Sequence, residues 1–298
     1  GKVIMSGKPT RLSDQELKDQ LIDKANFQEK TEIVKDNKFP TEIIDLPSKG
    51  IPYPEDHPLS SGKIEMKYMT AKEEDILTTQ SYITQGTVLD KLFKALIISN
   101  GEGKQVKYND ILVGDKNAVM IAARVLSYGK DYAISIPDPF NAGEPQEETI
   151  DLTKIDHLPL HEEITKFPNH SEFEFELPVS KKRVTFKLMT HGTEKKIDYA
   201  LKDLKKQQKR IKDDVDRTMS TRLKHIITAV DGEKDRKIID DFVDNHMLAL
   251  DSRGFRNYLK SVQPDVDLTY QFISNETGDE REVEIPIEVS FFWPDSKI

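Results

Sequence analysis

His157, His161, Glu162 and Glu163 have the residue types and spacing that can hold a divalent cation. The intervening Leu158-Pro159-Leu160 breaks the helix that would aim both imidazoles at one ion, so the grouping predicts no metal site. Gly101-Glu102-Gly103-Lys104 lacks the glycine spacing and the Ser/Thr of a phosphate-binding loop, and reads as a link between helices. There is no Gly-x-Ser-x-Gly elbow, and the carboxylates are scattered as on a solvated acidic surface. The absence of cysteine excludes disulfides, thiolate nucleophiles and cysteine-ligated zinc. The residues therefore give no positive reason to expect catalysis or a cofactor.

The composition fits that reading. A chain of 298 residues holds one large or two ordinary domains, with 33% charged residues and 36% hydrophobics. The net charge of -9 argues against general nucleic-acid binding, since phosphates would be repelled over most of the surface. No run of about 18 apolar residues and no hydrophobic signal region is present, which predicts neither a membrane span nor secretion by that route.

Residues 1–40 read as an arm. Ser13 with Glu16 suits a helix start, and Leu17, Leu21 and Ile22 give a narrow apolar face with Phe27 beyond it. The surrounding Lys- and Asp-rich sequence has little to bury, which predicts either disorder or ordering on a partner. From residue 41 the chain is punctuated: Leu46-Pro47-Ser48-Lys49-Gly50-Ile51-Pro52-Tyr53-Pro54 forms turns and extended segments, and presents Ile51 and Tyr53 to a partner. A strand is expected over 62–69, then a helix capped by Thr70 with Glu73, a second helix from Thr87 and a third over 115–128 stopped by Gly129. Strands follow at 132–136 and 149–152, and a hairpin at 172–189 around Ser180-Lys181-Lys182.

The first pattern then returns. Phe186-Lys187-Leu188-Met189-Thr190 echoes Met66-Lys67-Tyr68-Met69-Thr70, residues 221–227 echo the helix from Thr87, and 268–272 parallel 132–136. The offset drifts from 120 to about 138 residues, as in a diverged duplication. The expected fold is α+β: an arm (1–40), a first lobe (41–152) and a second lobe (153–298), each lobe running strand–helices–strand. A helix predicted over 193–217 carries Ile197, Leu201, Leu204, Gln208, Ile211 and Val215 in a heptad seam, with eight Lys/Arg on its other faces. That seam packs either on its own lobe or on another chain, with a basic face for nucleic acid as the third alternative. At the close, Val283, Ile285, Ile287 and Val289 alternate with polar residues as in a strand and lead to Phe291, Phe292 and Trp293. This cluster is either the last piece of the core or a partner anchor.

Several stretches together resemble the baseplate hub family of T-even-type, contractile-tailed bacteriophages. They are LPSKG with YPEDHPLSSGKIEMKYMTAKEEDIL (46–77), LVGDKNAVMIAARVLSYGKDY (112–132), TRLKHIITAVDGEKDRKIIDDFVDN (221–245) and the closing IPIEVSFFWPD. The resemblance implies a structural protein of the viral tail baseplate, in the hub or inner wedge, made in the host cytoplasm and carried in the virion. It implies other tail proteins as partners in a ring-like assembly, with no catalytic residues to carry over. A transient assembly chaperone for the hub is the alternative. Some relatives carry paired cysteines in the loop after the GKDY strand; here residues 137–144 have none, so a thiolate zinc staple is not available there.

Overall fold

Strand β1 (Thr41–Asp45) opens the part of the chain that the computed structural model describes, residues 40–287 and 291–292. It pairs antiparallel with β2 (Lys63–Lys67), and β2 pairs with β3 (Ile97–Ser99), in the order β1-β2-β3. Ile64 and Met66 point into the core from β2. Between β2 and β3 run α1 (Ala71–Thr78), α2 (Gln80–Gln85) and α3 (Val88–Leu96). The expected cap of α1 is present: the Thr70 N–H and hydroxyl both donate to the Glu73 carboxylate, at 2.9 and 2.5 Å. Burial would raise that carboxyl, but hydrogen bonds from Lys67 and Thr70 win and hold it at about 2. Helix α3 buries Leu92, Phe93 and Leu96, which share one face of a helix. It passes into β3 with no breaker. The periodicity predicts a helix through Ile97, but the backbone turns extended there and Ile97 pairs with Met66.

Helix α4 (Val113–Tyr128) is stopped by Gly129, and a hairpin of β4 (Asp131–Pro137) and β5 (Pro145–Asp151) follows, with Tyr132, Ile134 and Ile136 turned inward. After the hairpin come a turn at Leu152–Lys154 and a short helix α5 (Glu162–Lys166). Strands β6 (Glu172–Glu176), β7 (Arg183–Lys187) and β8 (Ile227–Val230) form a second sheet, in the order β6-β7-β8. Helices α6 (His191–Ile211) and α7 (Thr218–Ile226) lie between β7 and β8. Then come α8 (Arg236–Asp241), a π turn at Phe242–His246, α9 (Ala249–Val262) and the hairpin β9 (Thr269–Ile273) with β10 (Glu280–Glu284).

The same succession thus occurs twice: a three-stranded antiparallel sheet, helices between its second and third strands, a further helix, and a hairpin. The match extends to an irregularity. The β2–β3 ladder shifts register between Glu65 and Met66, and the β7–β8 ladder between Thr185 and Phe186. Met66 then pairs with Ile97, and Phe186 with Ile227. The buried side chains of both halves join one core that includes Phe93, Phe186, Phe255, Phe272, Phe291 and Phe292.

Two expectations are corrected in detail. Helix α6 ends at Ile211, short of the expected 217, because Lys212 takes a left-handed backbone (φ 56) and reverses the chain. Val215 therefore lies in the returning loop. Among the described residues the closing strand pairs from Glu280 to Glu284, and Ile285 beyond it is still buried; Val289 lies outside the described residues.

Candidate assembly surfaces

The LPSKG turn is a buried clasp. It lies over the start of α4, where the Ser48 N–H and hydroxyl donate to the Asp115 carboxylate at 3.0 and 2.7 Å. The Tyr53 hydroxyl donates to the same carboxylate at 2.7 Å and accepts the Leu112 N–H at 2.9 Å. Asp115 sits in the first turn of α4, where the helix dipole favours an anion. Burial nevertheless pushes its carboxyl above the ordinary range, against the hydrogen bonds from Ser48 and Tyr53. Burial, with the Asp115 charge next, pushes the Tyr53 phenol well up. Gly50 closes the turn at φ +78, and a Cβ there would meet the Ser60 carbonyl oxygen at 2.4 Å. Tyr53, expected to face a partner, is instead only 5% exposed, because its hydroxyl is engaged by Asp115. Ile51 is half-buried and packs on the same core.

The second half repeats the device. Leu177-Pro178-Val179-Ser180-Lys181 turns between β6 and β7, and Asp251 in the first turn of α9 accepts the Val179 and Ser180 N–H groups at 2.7 and 3.1 Å. Lys49 and Lys181 both take a left-handed backbone, at φ 55 and 60. Each turn carries Leu-Pro followed by Ser-Lys, and each Asp stands third in its helix.

The two halves meet at the start of α6. Leu112 and Thr190 form an isolated bridge, flanked by Val113 N–H to the Met189 carbonyl (3.0 Å) and His191 N–H to the Ile111 carbonyl (2.8 Å). Gly114 lies so close beneath Pro264 that a Cβ would stand 1.7 Å from its carbonyl oxygen. His191 Nε2 is 2.8 Å from Asp90 of α3, Lys195 Nζ is 2.7 Å from the same carboxylate, and Lys116 of α4 pairs with Glu194. The Tyr108 ring covers His191 at 4.3 Å between centroids. Burial alone would lower the His191 pKa, but the hydrogen bonds with Asp90 and Glu194 raise it. Burial alone would raise Asp90, but His191 and Lys195 hold it down at about 2. Both imidazole nitrogens are engaged, so this cluster joins elements and offers no vacant base.

Phe291 and Phe292 are buried, Phe291 edge-on to Tyr132 (4.9 Å) and Phe292 edge-on to Phe93 (5.6 Å). Of the two roles open to them, they fill the core role and are not presented to a partner. Leu17, Leu21, Ile22, Phe27 and Trp293 lie outside the described residues.

What remains exposed is concentrated on the second half. Along α6, Ile197 is buried, Leu201 and Leu204 are half-buried, and Ile211 is 73% exposed. A cleft of ≈ 720 Å³ runs beside the helix, lined by Leu201, Leu204, Gln208 and Val215, and the Gln208 amide bonds the Val215 carbonyl at 2.9 Å. A second cleft of ≈ 750 Å³ is lined by His57, Asp110, Lys187, Lys196, Lys224 and Arg236, a mixed-charge wall that suits a polar protein surface. The sequence reading missed Met219 (50% exposed), Leu248 (48%) and Leu250 (65%). Nothing local marks them, since Leu248-Ala249-Leu250 reads like any apolar helix start.

Among the described residues no group of His, Cys, Asp and Glu is placed to hold a metal ion. His157 bridges to Val266, while the His161 ring caps α5 by accepting the Glu163 N–H. No described helix is long and apolar enough to cross a membrane.

A family model described as T4 bacteriophage base plate protein matches residues 45–293. No curated protein and no solved structure matches the chain.

Proposed function

Because the chain belongs to the T4 bacteriophage base plate protein family, we propose that it is a structural subunit of the tail baseplate, in the hub or inner wedge of a contractile tail. It acts by binding other tail proteins, not by catalysis, and after assembly in the host cytoplasm it stays in the virion. The observation that carries this reading is α6. It is a 21-residue helix with one fully buried side chain, an apolar seam through Leu201, Leu204 and Ile211, and a dense set of exposed cations. Such a helix buries too little of its own seam to be explained by the fold alone, and pairing with another chain completes it.

The test is a quantitative peptide count of this chain in purified mature particles, against a tail protein of known copy number. A fixed stoichiometric ratio supports a built-in subunit. Absence from the particle, with presence in assembly intermediates, makes the protein a transient chaperone instead.

A further inference from the structure

The repeat leaves one surface matched in the first half and bare in the second. Asp115 and Asp251 hold the same position in α4 and α9, so Leu248 stands where Leu112 does and Leu250 where Gly114 does. Leu112 is 2% exposed and Gly114 is buried, because the 189–191 junction and Pro264 cover them. Leu248 and Leu250 are 48% and 65% exposed. The element that covers the first face is the passage from β7 into α6, Met189-Thr190-His191. The corresponding passage in the first half, from β2 into α1, is Met69-Thr70-Ala71, with the same Met-Thr pair, and its Ala71 is exposed. Among the described residues no hydrogen bond joins 247–250 to 69–71. The contact between the halves is therefore heterologous: it uses one face and one junction, and leaves the other face and the other junction unmatched.

We propose that residues 41–152 and 153–298 are two copies of one unit, and that the chain associates head to tail with a second copy of itself. The 247–250 face of one copy seats on the 69–71 junction of the next, with Leu248 opposite Thr70 as Leu112 is opposite Thr190. This inference rests on the baseplate reading and deepens it, since a heterologous contact of this kind closes into a ring or extends into a filament according to its rotation.

The chain has no cysteine, so the pairing can be trapped directly. Leu248→Cys and Thr70→Cys are made in separate full-length chains, mixed, and oxidised with glutathione disulfide. Directly opposite strand residues have Cα separations that a disulfide spans. The expected result is a 248–70 crosslink in most of the mixed sample, found by peptide mapping. Leu250→Asp, at an exposed position, is expected to abolish both the crosslink and the concentration-dependent association seen by sedimentation. A chain that sediments as a monomer at all concentrations overturns the proposal. So does a mixture that yields only 248–248 links, or an association that Leu250→Asp leaves intact. If instead the 247–250 face binds a different tail protein, self-association is refuted. The particle count tests the baseplate reading independently, so the two failures are distinguishable.

Discussion

Asp115 shows how far a single side chain can organise its surroundings. It collects two donors from Ser48 and one from Tyr53, and Tyr53 in turn accepts the Leu112 N–H. Tyr53→Phe removes one donor and one acceptor at once while keeping the ring, and should cost about 1–3 kcal/mol in urea unfolding. An unchanged midpoint would mean that the hydroxyl is idle. Gly114→Ala should be worse for a steric reason, since the added methyl would overlap the Pro264 carbonyl and force the halves apart. Its expected signature is a fall in the unfolding midpoint larger than that caused by Gly232→Ala, where nothing lies within 4 Å and only the left-handed backbone (φ +80) opposes a side chain. The turn chemistry of LPSKG was legible in the sequence, but its meaning was not. Asp115 is 67 residues away, and no local pattern announces such a partner. The same limit explains why Tyr53 read as a surface contact. An aromatic among prolines looks presented until its hydroxyl is matched to a distant carboxylate.

The helices and strands were legible wherever a change of period came with a breaker. Gly129 ends α4 as expected, and the Thr70–Glu73 pair starts α1. Strands β3 and β8 escaped because Leu96-Ile97 and Ile226-Ile227 are apolar on both sides of the change from helix to strand, with no Gly or Pro between them. The cluster at the start of α6 gives the halves a pH-dependent joint. His191 has its pKa raised in the fold, so its contribution is complete below about 6.5, its ordinary value, and fades as pH rises through the folded value. Asp90 and Glu194 are lowered, so theirs is complete above about 4.5 and fades as pH falls. The joint is therefore strongest between those limits. The wild-type urea midpoint should drop between pH 6 and pH 8.5 by more than that of His191→Gln. Equal drops would show that the His191 pKa is the same in the folded joint as in the unfolded chain. For α6 itself, Ile211→Asp should leave stability within about 0.5 kcal/mol, as at other exposed sites, while reducing incorporation into particles.

At the scale of the molecule, the recurrence at an offset of 120 was visible in the Met-Thr echoes, and the structure extends it to sheet order, register shift and clasp. What composition could not reveal is that the two halves share one core. That follows from tertiary contacts such as Phe292 against Phe93. Phe292→Ala should thus lower the stability of the whole body by about 3–5 kcal/mol, in a single transition by fluorescence and circular dichroism alike. Two separated transitions would show that the halves unfold independently.

The placement of Phe291 and Phe292 also has a consequence in time. Phe93 and Tyr132 are synthesised early, but the rings that pack on them are translated last of all the described residues. Translation at about 5–20 residues per second separates Phe93 from Phe292 by on the order of 10–40 s. During that interval the nascent first half holds an open apolar slot at the ribosome. Polypeptides interrupted before Phe291 can form sheets and helices but lack the residues that seal them. Such fragments would be left with exposed apolar surface and open to proteolysis, so the shared core closes only once Phe291 and Phe292 have been made.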